Sequence, residues 1–284
     1  MHLPSPLRLI AALAAGLLAC QLAFAQTPAA ADADSLRQRY DSLGDALRNN
    51  PFGRPLALES SENKDQLAGN IYAVLDRPFA AVSTALQSPA NWCEVLMLHL
   101  NTKYCAPQPA GGGTSLAVSV GRKFDQPLEQ AQKVAFVFNL ATASDRLLDV
   151  RLSAQDGPLS THDYRIGLQA IPLAGGKTFI HLGYSYAYGT AARLAMQAYL
   201  GTLGRDKTGF TSGGIRGVVE RNTMRYYLAI DSFLAAPSSA QREARAASWF
   251  DATEQYAKQL HEVERDDYLA MKRKEYARLQ QTPP

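Results

Sequence analysis

The spacing of hydrophobic positions changes several times along the chain, and each change marks an element. Leu36, Tyr40, Leu43 and Leu47 recur at helical spacing behind a cap at Asp34-Ser35, and Asn49-Asn50-Pro51-Phe52-Gly53 ends that helix. From Leu67 to Leu75 the period is two, with Ile71, Ala73 and Leu75 alternating against Tyr72 and Val74 as in a strand. Asp76-Arg77-Pro78 stops the strand and opens a short helix carrying Phe79, Val82 and Leu86, because proline is tolerated in a first turn whose N–H has no partner. Ser88-Pro89-Ala90-Asn91-Trp92 is a second start of the same kind, leading into Val95, Leu96 and Leu98.

Ala106 to Gly113 is rich in proline and glycine and reads as a loop; without a following Lys-Ser/Thr it is no phosphate cradle. From Thr114 to Tyr188 alternation dominates: Leu116, Val118, Val120; then Val134, Phe136, Phe138, Leu140; then Leu148, Val150, Leu152; then Tyr164, Ile166, Leu168, Ala170. Pro172-Leu173-Ala174-Gly175-Gly176 turns that last segment into Thr178–Tyr188, the clearest hairpin signal in the chain. Such alternation predicts an antiparallel sheet with one apolar face. A short helix follows over 191–200, then a glycine-rich stretch to Gly214. Ile215, Val219, Asn222, Tyr226 and Phe233 next define a long amphipathic helix that ends at Ala236-Pro237. The remainder, from Ser238 to Pro284, mixes charges of both signs with scattered aromatics and reads as one or two surface helices with a solvated face.

Composition supports a sizeable core: of the 284 residues 46% are hydrophobic and 19% charged, which excludes wholesale disorder. The formal net charge is +3, and removing a leader whose one cation is Arg8 leaves +2, too little for a nucleic-acid binder defined by bulk charge. That leader is residues 1–25, with Arg8, an apolar run from Leu9 to Leu22, and Ala23-Phe24-Ala25 as a small-x-small cleavage site. The expected location is therefore outside the cytoplasm, in a periplasm. An alternative stays open at Leu17-Leu18-Ala19-Cys20, which is similar to a lipobox and would make Cys20 a lipidated first residue; the chain stays apolar beyond it, which favours cleavage after Ala25. Two cysteines then remain, Cys93 and Cys105, and in an oxidising compartment a disulfide is the expected pairing, two buried thiols being the other reading.

The order strand, two short helices, about five or six antiparallel strands and a long helix resembles the helix-grip fold of the START-like (SRPBCC) superfamily, the polyketide cyclase and lipid-transport group. The resemblance spans 56–236 and is carried by the Asp76-Arg77-Pro78-Phe79 helix start, the Ser88–Trp92 step, the hairpin at Gly175-Gly176-Lys177-Thr178 and the last helix. It implies an α+β domain in which a curved sheet wraps a C-terminal helix around an apolar cavity. The resulting division is a leader (1–25), a helical lead-in (26–55), the helix-grip domain (56–236) and a charged helical tail (237–284). The expected function is an exported binder or carrier of a hydrophobic, lipid-like molecule, with transient membrane contact and no cofactor. Two alternatives are a cyclase- or hydrolase-type enzyme using a cavity Tyr or His, and an interaction module acting through the tail.

No convergent catalytic set is visible. Gly183-Tyr184-Ser185-Tyr186-Ala187 is close to a nucleophile elbow, but its surroundings alternate like a strand and the last glycine is missing. His181 shares the parity of Ser185 and reads as a satisfied or exposed histidine. His162-Asp163 and His261-Glu262 lack the further ligands a metal site requires, so no metal is expected. Tyr184, Tyr186 and Tyr188 share one strand face with Ile180 and Leu182, and whether that face looks inward or outward is left open. The cavity candidates are these three tyrosines with Phe136, Phe138, Asn222 and Tyr226; Thr223 is a weaker one. Arg151 and Arg165 oppose the apolar parity, where a surface position is favoured over pairing with an anionic head group.

Overall fold

The lead-in helices are amphipathic and short, and they are held by what they cover rather than by intrinsic propensity. The structure, a computed structural model, describes residues 33–202 and 207–281; the expected leader with Cys20 and Ala25 lies outside the described residues. Helices α1 (Ala33–Ser42) and α2 (Gly44–Arg48) bury Leu36, Leu43 and Leu47 against Ile171 and Phe179 on one face of the sheet.

The strands are β1 (Leu56–Asn63), β2 (Gln66–Leu75), β3 (Thr102–Ala110), β4 (Gly113–Val120), β5 (Gln132–Ala143), β6 (Leu148–Asp156), β7 (Thr161–Leu173) and β8 (Lys177–Tyr188). They form an 8-stranded sheet in the order β1-β2-β8-β7-β6-β5-β4-β3, every pair antiparallel. The first hairpin closes onto the last strand, with Leu67 opposite Tyr186 and Ile71 opposite Leu182. Helices α3 (Phe79–Leu86) and α4 (Pro89–Leu96) fill the step between β2 and β3, with Pro89 at the first helical position as its sequence predicts.

One expected loop is a strand. Ala106–Ala110 belongs to β3, and only Gly111 and Gly112, with φ of 51° and 87°, make the turn into β4. β3 is the edge of the sheet, so Pro107 and Pro109 interrupt no ladder on the outer side. Cys93 of α4 and Cys105 of β3 form a disulfide with Cα atoms 5.2 Å apart.

Helices α5 (Thr190–Gly201) and α6 (Gly214–Ala235) follow β8, and α6 lies on the inner face against β1, β2 and β8. Its closest approach is at Gly69, where a Cβ would lie 3.2 Å from Thr223 Cβ. Glu220, fully buried, accepts from Ser60 Oγ (2.6 Å) and from the backbone N–H groups of Phe210 (2.6 Å) and Thr211 (2.9 Å), which ties the chain ahead of α6 and the edge strand to the helix.

The charged tail is not a solvated appendage. Helices α7 (Arg242–Glu254), α8 (Ala257–Leu260) and α9 (Arg265–Gln281) put Trp249, Tyr268, Lys272 and Glu275 into the core. Trp249 Nε1 donates to Arg225 O at 3.1 Å, and Tyr268 Oη donates to Leu98 O at 2.9 Å. Lys272 donates to His99 O (2.8 Å) and Thr102 O (3.1 Å), Lys103 donates to Leu100 O (2.9 Å), and both lysines meet Glu275, at 2.7 and 3.0 Å. Mixed charge along the sequence reads as a wet surface; here two ammonium groups, both paired with one carboxylate, satisfy backbone carbonyls that the turn after α4 leaves open. Among the described residues no helix is long and apolar enough to cross a membrane.

Candidate functional site

Side chains of a strand alternate between faces, so one fixed residue sets the direction of all the others. Ile180, Leu182, Tyr184, Tyr186 and Tyr188 are buried on the face that carries Leu67 and Ile71 of β2, Ile166 and Leu168 of β7, and Val150 and Leu152 of β6. This is the face covered by α6, so the tyrosine face of β8 looks inward. Between the sheet and the middle of α6 a cavity of about 150 Å³ remains. Val118, Val134 and Phe136 from the sheet, Leu96 and His99 from α4 and its turn, Tyr164 and Tyr184, and Asn222 and Tyr226 from α6 form its wall.

An antiparallel sheet in this strand order, two helices after its second strand, and a later long helix laid across the concave face over a cavity are the parts of one known architecture. The chain has the helix-grip fold. Solved structures similar to it include norcoclaurine synthase from Thalictrum flavum in complex with dopamine and hydroxybenzaldehyde, at 15% identity over 64% of this chain and 96% of that one, TM-score 0.37. A conserved protein from Geobacillus kaustophilus is similar at 12% identity over 59% and 95% of the two chains, TM-score 0.37, and CalU16 from Micromonospora echinospora at 14% over 69% and 96%, TM-score 0.32. No family model and no curated protein matches the sequence. It is the strand order, the helix pair and the cavity under α6 that carry the assignment.

The helix-grip cavity of this chain is aromatic on one side. Tyr164 stacks on Tyr186 with centroids 5.2 Å apart, Tyr184 meets Tyr226 edge-on at 5.2 Å, and Phe136 meets Tyr164 edge-on at 6.3 Å. Burial raises the phenols of Tyr184 and Tyr226, so both stay protonated across the physiological range. Of the sequence candidates, Tyr184, Phe136, Asn222 and Tyr226 line the cavity. Tyr186 backs it through Tyr164 and lies 3.9 Å from Met196 Sδ of α5. Tyr188 is further along the strand, donating to Glu62 Oε1 at 3.0 Å, and Phe138 is half-buried beyond the cavity. Thr223 is buried against Gly69 and donates to Val219 O at 2.8 Å.

His99 is the wall residue that sequence reasoning missed. It is 5% exposed, it follows α4, and its ring stacks on Tyr226 with centroids 5.1 Å apart. Its Nδ1 accepts the backbone N–H of Asn101 at 3.2 Å, which assigns the ring proton to Nε2. Nε2 makes no hydrogen bond of normal geometry, although Asn222 lies beside the ring. Burial, then the cations Arg225, Lys272 and Lys123, hold the imidazole well below the usual histidine range, so it is neutral. A lone histidine between Leu98 and Leu100 carries no spacing signal; only the fold brings it to Tyr226.

The other singled-out groups lie elsewhere. His181 is on the outer face, stacked on Tyr72 at 4.5 Å and bonded to Asn70 Oδ1 (2.9 Å) and Gln169 Oε1 (3.3 Å), which bears out a satisfied histidine; burial lowers it to about 4. Ser185 shares that outer parity. Arg151 pairs with Asp149 at 2.6 Å on the outer face and Arg165 is exposed. His162 meets Asp163 at 2.8 Å and His261 meets Glu254 at 3.1 Å, each at the surface. Clefts of about 250 and 260 Å³ between α7 and α9 and beside Phe52 and Tyr256 are larger than the cavity but are open surface grooves.

Proposed function

We propose that this chain binds a hydrophobic molecule about the size of a single ring in the cavity under α6, and that it does so as an exported, non-catalytic binder or carrier. The cavity itself carries the reading: between sheet and helix, where protein interiors are ordinarily close-packed, an aromatic-walled void remains. Its volume sets the size class. Ligand pockets for drug-sized molecules run from roughly 300 to 1,000 Å³, whereas a void near 150 Å³ is one that an apolar ring such as benzene occupies. The lipid-like ligand expected from the sequence therefore narrows to a smaller molecule, since about 150 Å³ is too little for a long acyl chain. Export is supported by the leader pattern and by the Cys93–Cys105 pairing, which suits an oxidising compartment.

Toluene titrated into the purified chain and followed by proton–nitrogen NMR tests the reading. Saturable shifts are expected at the amides of His99, Phe136, Tyr184 and Tyr226. Val134→Phe, which adds a ring to the wall, is expected to abolish them while leaving the melting temperature unchanged or higher. Absence of saturable binding in the unsubstituted chain would end the proposal. A second reading, a cyclase-type enzyme, is favoured by one observation, the protonated phenols of Tyr184 and Tyr226 in the wall, which are in the form a general acid requires.

A further inference from the structure

The donor count of the cavity names a ligand class. His99 Nε2 carries a proton and has no hydrogen-bond partner of normal geometry among the described residues, with Asn222 beside the ring. Asn222 Oδ1 accepts from Arg225 Nη1 at 3.4 Å, so the side chain turns its amide N–H groups to other partners. The hydroxyls of Tyr184 and Tyr226 are protonated and make no hydrogen bond among the described residues. These groups come from three elements, the turn after α4, β8 and α6, and line the same void, with the rings of His99 and Tyr184 centred 5.1 and 5.2 Å from that of Tyr226; the wall contains no carboxylate. The charges that bear most on His99 are the cations Arg225, Lys272 and Lys123, of which Arg225 and Lys123 share Glu262 (2.9 and 2.8 Å) and Lys272 pairs with Glu275 (2.7 Å). An apolar ring alone would leave the His99 donor unmet, at the cost of a buried unsatisfied group. A cationic ligand would find no carboxylate in the wall to pair with. A carboxylate offers two oxygens with about four acceptor sites, enough for the imidazole, the amide and the phenols.

On the reading that the cavity binds a single-ring molecule, we infer that its ligand is a small aromatic carboxylate, with the ring against Phe136 and Tyr164 and the carboxylate oxygens accepting from His99 and Asn222. Fixing the imidazole proton on Nε2 through the Asn101 N–H makes His99 a donor only, so the site selects against ligands that bring a proton of their own to that end.

Matched probes of one ring size test this: toluene, benzylamine and benzoate, titrated at pH 7.5 into the full chain by calorimetry and NMR. Benzoate is expected to bind at least tenfold tighter than toluene, and benzylamine more weakly than either. His99→Leu and Asn222→Leu are each expected to abolish the preference for benzoate over toluene; Asn222→Leu answers the question if His99→Leu does not fold. Toluene binding with no benzoate preference overturns the carboxylate assignment and leaves the cavity reading intact. A benzoate preference that survives Asn222→Leu overturns the placement of the carboxylate. If none of the three probes binds, the cavity reading itself falls, and this inference with it.

Discussion

His99 and Tyr226 lie ring on ring, centroids 5.1 Å apart and planes 28° apart, so the turn after α4 and the middle of α6 meet in the cavity wall. The stack is apolar work, and the Tyr226 hydroxyl takes no part in it. Tyr226→Phe is expected to stay within about 0.5 kcal/mol of the unsubstituted chain, whereas Tyr226→Ala removes a buried ring and is expected to cost roughly 3 to 5 kcal/mol. Urea denaturation measures both. A large loss for Tyr226→Phe would mean that the hydroxyl holds the protein together instead of facing the cavity.

Gly69 is where sheet and helix come closest, because a side chain there would run into Thr223. Gly69→Ala is expected to destabilise by about 1 to 3 kcal/mol through overpacking. Pairing it with Thr223→Ala should recover part of that loss, since the obstructing hydroxyl and methyl are gone. The coupling energy from the four-member cycle is the test, and strict additivity would show that the two positions do not touch.

His181 makes stability depend on pH in a calculable direction. The unfolded chain takes up a proton near the ordinary histidine value of 6.5, while burial delays uptake in the folded chain to about 4. Between those values the unfolded state binds more protons, so stability is full above pH 6.5 and falls as the pH drops towards 4, by roughly 2 to 3 kcal/mol for this one group. His99, also depressed by burial, acts with the same sign. His181→Gln should flatten the profile in that window relative to the unsubstituted chain, as read by thermal melts at successive pH values; parallel profiles would reject the assignment.

The disulfide closes a loop with a sequence separation of 12. Chain entropy gives about 3 kcal/mol for a loop of that order, which for a domain of this size is roughly 6 to 12 °C in Tm. Melting with and without reductant, beside Cys93→Ser/Cys105→Ser, should show the same drop. A much smaller drop would place the stabilisation of the α4–β3 corner in α9 instead.

Face is legible in a sequence, and position along a strand is not. The period of two put Tyr184, Tyr186 and Tyr188 on one strand face with Ile180 and Leu182, and Phe136 on one face of its own strand with Phe138, and the structure keeps both groupings. Only Tyr184 and Phe136 of these reach the cavity wall, because the void spans a few residues of each strand and its place is set by where α6 crosses. Asn222 and Tyr226 were legible from the helical stripe for the same reason that the helix was. Pro107 and Pro109 misled because their tolerance depends on β3 being an edge, a property of long-range pairing. Lys272 and Glu275 misled because a charge buries only against partners far away in the chain, and those partners, Lys103 and the carbonyls of 99–102, have no local mark.

The hold of α9 on the turn after α4 has a consequence in time. Tyr268 and Lys272 reach back across 170 and 173 positions to the carbonyls of Leu98 and His99. A ribosome delivers the sheet, α6 and the disulfide-forming cysteines well before it delivers these two residues. The histidine turn thus gains its last supports only once α9 has been made, and contacts of such separation close slowly. Ligand competence is therefore a late event in the life of each molecule, expected to lag behind the acquisition of sheet structure during refolding.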